Sequence, residues 1–170
     1  MSADTATGPG GRSGRRPRAG AGPYEQGVVM TYASWFRRAG GYLVDVVLAF
    51  LPSFVGGLVY ESTVGPDGEP SAFGRAADLI GIALAILVFA YNRWIRAGRT
   101  GRTWGRQLMR INLITEQDGG PVGGSRALLR DLGHVVDTLA LGLGWLSPLW
   151  DGKRQTFSDK MVRTVVVEAA

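Results

Sequence analysis

The sequence predicts an all-α membrane protein with two transmembrane helices, a third membrane-embedded helical segment and a small cytoplasmic pair of β-strands. Three observations predict this class: two apolar stretches of membrane-spanning length, arginine clusters on both sides of an acidic connection, and two short strand-like segments late in the chain. With 170 residues, 45% of them hydrophobic, the chain is too short to bury two wholly apolar helices inside further layers of protein. A bilayer is therefore the expected surrounding of both helices.

Residues 1–32 are predicted to form a disordered tail, and residues 33–168 a membrane domain. The tail is rich in arginine, glycine and proline, and its first 22 residues contain no aromatic or branched aliphatic side chain. Such a segment cannot bury enough apolar surface to order itself. The chain has no cysteine, which excludes disulfides and thiolate metal sites.

The charge distribution predicts the orientation in the membrane. Six arginines lie within the first 38 residues and eight within residues 93–130, whereas residues 61–75 hold three acidic residues and one arginine. Basic, acidic, basic is the order expected when two spans return a chain to the cytoplasm. We therefore expect a multi-pass protein of the cell membrane with a cytoplasmic N-terminus. Contact with anionic lipid accounts for the arginines of the tail without nucleic acid as a partner.

The first span is predicted at residues 41–60, twenty residues with Asp45 as the one charge, which as a helix would rise about 30 Å. The second span is predicted at residues 76–95. Small residues recur in it at Ala77, Gly81 and Ala85, a spacing that lets another helix approach closely.

The third apolar segment, residues 132–150, is interrupted by glycines and a proline and contains His134 and Asp137. It either crosses the bilayer or enters and returns. The basic residues that follow favour the return, because a crossing would place them outside. His134 is expected to be a polar partner rather than a metal ligand, since the chain has no second histidine.

The cytoplasmic loop, residues 96–131, is basic in its first half. Arginines at three- and four-residue spacing predict either a basic amphipathic helix on an anionic membrane surface or simply a positive inner loop; they are Arg99, Arg102, Arg106 and Arg110. Residues 109–115 then resemble a short strand, and the β-branched residues 163–168 are its natural partner.

Two segments that contain an aspartate begin with the same pattern. RAGGYLVD starts at Arg38 and RDLGHVVD at Arg130, so Asp45 and Asp137 each follow an arginine by seven residues. A charged aspartate near the middle of a span costs about 2.5–3.5 kcal/mol. Protonation, a bound cation, or an arginine of another helix such as Arg130 or Arg93 would offset that cost, while Arg38 reaches back to the headgroups. Two facing carboxylates could bind a proton or exchange it for a cation; alternatively, each aspartate only fixes helix packing.

Four motifs occur in order along the chain. They comprise Arg38 and Asp45 in WFRRAGGYLVD, Thr103, Gly105 and Arg106 in GRTWGRQLMRINLI, Arg130 in GGSRALLRDL, and Asp159 and Thr164 in GKRQTFSDKMVRTVVV. This set, over about residues 33–168, resembles the RDD family of membrane proteins, named for one arginine and two aspartates. The chain departs from the family pattern at Ser158, where a histidine commonly precedes the last aspartate, and at Gly41, where alanine is frequent.

The resemblance implies an integral membrane protein of a family for which transport is discussed, with some members resembling sodium/proton antiporters. It also implies that Asp159, rather than Asp137, is the second aspartate of the family name.

Two functions of different classes follow from these observations. The first is transport of an ion or small solute, by cation/proton exchange, through Arg38, Asp45, Arg130, Asp137 and Asp159. The alternative is a scaffold or accessory subunit in which these residues only fix packing. Two or three spans cannot enclose a path alone, so the expected partners are the lipid bilayer, a second copy or another membrane protein, and a monovalent cation or proton. The sequence contains no motif for an enzyme, no catalytic set, and no cofactor or metal site.

Overall fold

The computed structural model describes residues 30–169. The predicted disordered tail, residues 1–32, lies outside the described residues except for its last three. Of these, Tyr32 forms an antiparallel bridge with Val167, and the Thr31 carbonyl accepts a hydrogen bond from the Glu168 amide. The start of the described chain is thereby held against the last strand.

Two long helices dominate the architecture. Helix α1 spans Trp35–Ser62, and helix α2 spans Ala72–Ala90 and continues through a π-helical turn, Tyr91–Arg96, into the short helix α3, Ala97–Thr100. Both are long and apolar enough to cross a membrane. Each begins several residues before the predicted span because a serine caps its N-terminus: Ser34 accepts from the Arg37 amide and Ser71 from the Gly74 amide.

Helices α1 and α2 are joined by a short turn and pack closely through glycines. A Cβ at Gly56 would lie 2.7 Å from the carbonyl oxygen of Ala77, and one at Gly81 would lie 2.6 Å from that of Pro52. Gly81 and Ala77 belong to the seam of small residues predicted from the sequence. The helix continues through Pro52, and the two helices form a tight hairpin.

The segment predicted at residues 132–150 is not one continuous helix. Helix α5 spans Gly124–Leu139, helix α6 spans Leu143–Leu146, and a 3₁₀ turn spans Ser147–Leu149. The break follows from Leu141 and Gly142, both of which have positive φ angles, 55° and 79°. Within residues 30–169, only α1 and α2–α3 have the length and hydropathy of membrane spans.

Helix α5 is amphipathic. It buries polar and charged side chains on one face and leaves aliphatic side chains exposed on the other. The exposed aliphatic residues are Leu129, Leu132, Val135, Val136 and Leu139.

The predicted strand pair is confirmed. Strand β1, Ile111–Thr115, pairs antiparallel with β2, Thr164–Glu168. Strand β2 follows the short helix α7, Phe157–Val162. A small apolar core packs on the sheet and comprises Ala33, Ile111, Leu113, Val122, Ala127 and Val166.

The basic loop does not form the single amphipathic helix that the arginine spacing allowed. Helix α3 ends at Gly101, which has a φ of 71°, and a separate helix α4 spans Trp104–Leu108. The break turns Arg106 inward, whereas Arg99 and Arg110 are exposed. The four arginines therefore do not share one surface stripe.

Candidate functional site

Buried polar and charged side chains gather where the first turns of α1 meet α4, α5, α7 and the π-helical turn. We call this group the polar cluster. Its members are Arg38, Asp45, Asn92, Arg93, Arg106, Arg130, Asp131, His134, Asp137, Ser158 and Asp159. Ionisable groups taken out of water must be paired or hydrogen-bonded, so the partners of each member show what the cluster does.

Asp159 holds two arginines together. Its Oδ2 lies 2.8 Å from Arg38 Nη1 and its Oδ1 lies 2.6 Å from Arg130 Nε, while the Thr164 hydroxyl donates to Oδ1 at 3.2 Å. Asp159 also accepts from the Thr156 amide in a capping box that starts α7. Burial would raise the pKa of the Asp159 carboxyl, but the charges of Arg130 and Arg38 lower it well below its usual value. The carboxylate is therefore charged and ties α1, α5 and α7 together.

A second ion pair joins the π-helical turn to α5. Arg93 donates to Asp131 through Nε at 2.8 Å and Nη2 at 2.5 Å, and the Trp94 indole donates to the same carboxylate at 3.0 Å. The guanidinium also lies over the Tyr42 ring, 5.2 Å from its centroid. Bidentate pairing of this kind fixes the side chain in direction as well as in charge.

Asp45 is satisfied by neutral donors. Its Oδ1 accepts 2.8 Å hydrogen bonds from Asn92 Nδ2 and from the Gly105 amide. It lies within electrostatic range of Arg93 and Arg106, but it forms no salt bridge within residues 30–169. Asn92 lies in the π-helical turn, eleven residues after Gly81, and therefore on the face of the helix that packs against α1.

The TWGR segment brings α4 against α1. Thr103 caps α4 by accepting from the Arg106 amide, and a Cβ at Gly105 would lie 1.9 Å from the carbonyl oxygen of Gly41. Only glycine allows the α4 backbone to come close enough for its amide to reach Asp45. The threonine, glycine and arginine of this motif thus act as cap, contact point and buried cation.

Within the polar cluster, Asp137 has its own set of partners. His134 Nδ1 is 2.6 Å from Asp137 Oδ2, and the Ser158 hydroxyl donates to the same oxygen at 2.5 Å. The His134 ring stacks on Trp145 with centroids 4.0 Å apart. Within the described residues Asp137 and Asp45 share no hydrogen bond, so the two octapeptides do not form a carboxylate pair.

Arg106 lacks the carboxylate partners that Arg38, Arg93 and Arg130 have. The residue is 9% exposed, its Nη1 is buried without a hydrogen bond, and its side chain forms no salt bridge within residues 30–169. Burial, together with the charges of Arg130 and Arg93, lowers its pKa. A guanidinium still remains charged at neutral pH, so a cation without an ion-pair partner lies inside the cluster, and the charges of Asp131 and Asp45 act on it only from a distance.

The cluster lines a cavity of about 410 Å³. Its charged walls are formed by four arginines and one carboxylate, and its aromatic wall by Trp35, Tyr42 and Trp145. The charged lining residues are Arg38, Arg93, Arg106, Arg130 and Asp45. Within the described residues, no group of three or more His, Asp or Glu side chains is placed to hold a metal ion.

The structure thus divides the five site residues chosen from the sequence into three groups. It brings Arg38, Arg130 and Asp159 together, places Asp45 across the same cavity, and gives Asp137 its own partners. Arg38 pairs with Asp159 instead of reaching back to headgroups. Sequence reasoning did not select Asn92 or Asp131, and it named Ser158 only as a departure from the family pattern. Asn92 continues the seam of Ala77, Gly81 and Ala85 at helical spacing, a signal that could have identified it. The Thr103–Arg106 motif was the signal that could have identified Arg106.

The chain is similar to known proteins over most of its length. The model of the RDD family matches residues 32–163. The chain is 30% identical over 149 residues to the proline-rich antigen of Mycobacterium leprae, covering 79% of this chain and 60% of that protein. It is 31% identical over 99 residues to a proline-rich antigen homolog of Mycobacterium tuberculosis, covering 58% of this chain and 41% of that protein. The chain therefore spans less than two thirds of these relatives. No solved structure matches.

Proposed function

The chain belongs to the RDD family, and on that basis we propose that it is a membrane protein that takes part in moving a small ion or solute. The observation that carries this proposal is the cavity of about 410 Å³, walled by four arginines and a carboxylate, at one end of the apolar hairpin. Charged side chains kept around a cavity beside membrane spans are the usual mark of a solute or ion site.

The proposed arrangement places the hairpin across the bilayer. Beyond Asp45, residues 46–62 of α1 would rise about 26 Å and α2 about 28 Å at 1.5 Å per residue, close to the bilayer core of about 30 Å. Large apolar side chains on both helices are exposed, among them Phe50, Phe54 and Ile86 at 63% each. Lipid would cover them. The polar cluster then lies at the cytoplasmic end of the hairpin, with both ends of the chain on that side.

Helix α5 supports the re-entrant form of the third segment. Its exposed edge of leucine and valine suits the interface, whereas its buried face of arginine, histidine and aspartate belongs to the protein. At 16 residues, it is also shorter than a typical span. In this proposal α5 lies along the inner leaflet and leaves the C-terminus in the cytoplasm.

Transport requires more than one copy or a partner, because two spans cannot enclose a path. An apolar groove runs along the hairpin and is lined by Leu51, Val55, Ala77 and Leu84 among others. A second hairpin could pack there through small residues, as membrane helices commonly do.

Cation/proton exchange at Asp45 is the version of transport expected from the sequence. It needs a carboxylate that can exchange one positive partner for another. Asp45 meets part of that requirement, since it faces the cavity and forms no salt bridge within residues 30–169. The nearby charges of Arg93 and Arg106 oppose a cation at this position.

The scaffold alternative is favoured by one observation, the completeness of the Arg38–Asp159–Arg130 group. Its carboxylate is fully buried and accepts hydrogen bonds from both arginines, Thr164 and the Thr156 amide. A group with that many fixed partners suits packing better than ion exchange. The scaffold role would use these residues for the fold and the hairpin groove for a partner.

Flux measurement on the purified protein in liposomes separates these functions. An internal pH dye would follow proton movement when sodium or potassium is added, and labelled phosphate would follow anion uptake. Transport requires a protein-dependent flux that Asp45→Asn or Arg106→Gln reduces and that Arg99→Gln, an exposed arginine, does not. If no gradient gives a protein-dependent flux while the protein is correctly inserted, the transport proposal fails and the scaffold role remains.

A further inference from the structure

The buried guanidinium of Arg106 has no ion-pair partner within the described residues. Its Nη1 is buried without a hydrogen bond. The charges of Arg130 and Arg93 repel the guanidinium, and those of Asp131 and Asp45 attract it without forming a salt bridge. Buried charged groups are ordinarily paired, because the loss of hydration costs several kcal/mol per ion. The described residues 30–169 supply no hydrogen-bond partner for Nη1, so this donor is available to a ligand.

Two neighbouring arginines also keep donors available at the same cavity. Within the described residues, Arg130 makes its hydrogen bonds only through Nε, and Arg93 only through Nε and Nη2. Both line the cavity beside Arg106. Asp159 and Asp131 therefore fix the two guanidinium groups in place without using all of their N–H donors.

The charge of the cavity wall favours an anion. Four arginines and one carboxylate line it, an excess of three positive charges. Counting Asp131 and Asp159, which bind three of the arginines, still leaves an excess of one. Asp137 lies apart from these pairs, against His134 and Ser158.

The shape of the cavity indicates an anionic group attached to a larger body. The volume of about 410 Å³ exceeds what a bare oxyanion fills, and Trp35, Tyr42 and Trp145 form a second, aromatic wall. Small-molecule sites combine an apolar wall with a few polar anchors in this way.

We propose that this cavity binds an oxyanion of the phosphate class, with Arg106, Arg93 and Arg130 donating to its oxygens. Arginine suits the role because its planar fork matches a tetrahedral oxyanion in bidentate geometry. The phosphate is carried either by an anionic lipid headgroup or by a soluble compound. As a substrate site, the cavity rests on the transport function proposed above, whereas binding can be measured without transport.

The test measures thermal unfolding of the whole protein in phosphatidylcholine nanodiscs, followed by tryptophan fluorescence. Inorganic phosphate is compared with chloride at matched ionic strength, and nanodiscs with added phosphatidylglycerol are compared with phosphatidylcholine alone. The variants are Arg106→Gln, Arg106→Lys and the control Arg99→Gln, which removes an exposed arginine outside the cavity. The unfolding temperature reports binding because a ligand that binds only the folded state raises it.

Phosphate is expected to raise the unfolding temperature of the native protein and of Arg99→Gln. Its apparent affinity should fall about 10- to 100-fold in Arg106→Gln, as for loss of a charged donor, and less in Arg106→Lys. An increase with phosphatidylglycerol alone, also lost in Arg106→Gln, would support the proposal with a lipid as carrier. No increase with either probe, or an equal increase in Arg106→Gln, would overturn it.

The unfolding temperature of Arg106→Gln without phosphate is a second test of the proposal. If Arg106 serves a ligand, Arg106→Gln removes a buried charge that has no ion-pair partner, and the variant should unfold at the native temperature or above it. A lower unfolding temperature, or failure to fold, would show that the fold needs Arg106 and would overturn the proposal. Phosphate binding without any flux would support the oxyanion site and contradict the transport proposal. Cation flux without phosphate binding would support transport and contradict the oxyanion site.

Discussion

Asp159→Asn is the substitution for which the structure gives the largest expected loss of stability. Asp159 is fully buried, and its carboxylate lies 2.8 Å from Arg38 Nη1 and 2.6 Å from Arg130 Nε. Asparagine keeps an acceptor for the Thr156 amide but removes the negative charge, so two buried guanidinium groups lose their counter-ion. Removing one member of a buried ion pair costs about 3–5 kcal/mol. We therefore expect the free energy of unfolding to fall by at least about 3 kcal/mol.

Unfolding in mixed micelles of increasing sodium dodecyl sulfate, followed by tryptophan fluorescence, would measure this loss. The matched control is Glu69→Gln, which also removes a carboxylate from an arginine, but in an exposed pair where Arg75 Nη1 lies 3.7 Å from Glu69 Oε2. That change should cost less than about 1 kcal/mol. Adding Arg38→Gln to Asp159→Asn should recover about 1–3 kcal/mol, because one uncompensated charge is gone. A loss within 1 kcal/mol for Asp159→Asn would refute the reasoning.

Three further predictions follow from the same structure. Gly105→Ala should destabilise the protein by about 2–4 kcal/mol in the same assay, because its Cβ would meet the Gly41 carbonyl oxygen at 1.9 Å and break the hydrogen bond to Asp45. The control Gly57→Ala, whose Cβ would lie in open space, should be neutral or stabilising by up to about 1 kcal/mol. Equal effects of the two substitutions would contradict the close contact at Gly105. Because the pKa of Asp159 is lowered on folding, the ionised carboxylate contributes its full share of the free energy of unfolding above the unfolded-state pKa of about 3.9. This contribution declines as pH falls through the pKa of the folded state, so the stability of the native protein should drop in acid more steeply than that of Asp159→Asn. Parallel pH profiles of the two proteins would contradict this prediction. Single cysteines at Asp67 and Gly152, both exposed, should label from opposite sides of the membrane with an impermeant thiol reagent, and labelling from the same side would contradict the proposed hairpin.

The sequence predicted the elements whose signal is local. Two apolar stretches gave the two long helices, because hydropathy over twenty residues is a strong signal. The β-branched run at residues 163–168 and the alternating run at residues 109–115 predicted the strand pair, which the structure forms at residues 164–168 and 111–115. Gly81 lay on the predicted packing seam and contacts α1. In each case neighbouring residues carried the information.

The partners within the polar cluster could not be predicted in the same way. Arg93 pairs with Asp131, thirty-eight residues away, and Arg38 with Asp159, at a separation of 121. Many arginines in the sequence could have formed either pair, and spacing along the chain does not distinguish among them. Asn92 was missed although it follows Gly81 by eleven residues, about three helical turns, and so continues the predicted packing seam toward α1.

Arg106 shows how one local error propagates. Its spacing from Arg99, Arg102 and Arg110 predicted a surface stripe if the segment were one helix. Gly101 ends α3 with a φ of 71°, and Thr103 starts a new helix, so the stripe is broken and Arg106 turns inward. The sequence pattern therefore indicated a surface charge at Arg106, the residue that we now propose binds an oxyanion.

The measurement that tests the central claim most directly is the side-chain NMR signal of Arg106 in the native protein in phosphatidylcholine nanodiscs. With ¹⁵N-labelled arginine, the Nε–H resonance of Arg106 is assigned by its absence in Arg106→Gln and followed as phosphate replaces chloride. If the cavity binds phosphate, this resonance and that of Arg130 should shift in a saturable manner, while that of the exposed Arg99 should not. Saturating phosphate with no change at Arg106, or a change equal to that at Arg99, would contradict the claim that the cavity binds an oxyanion.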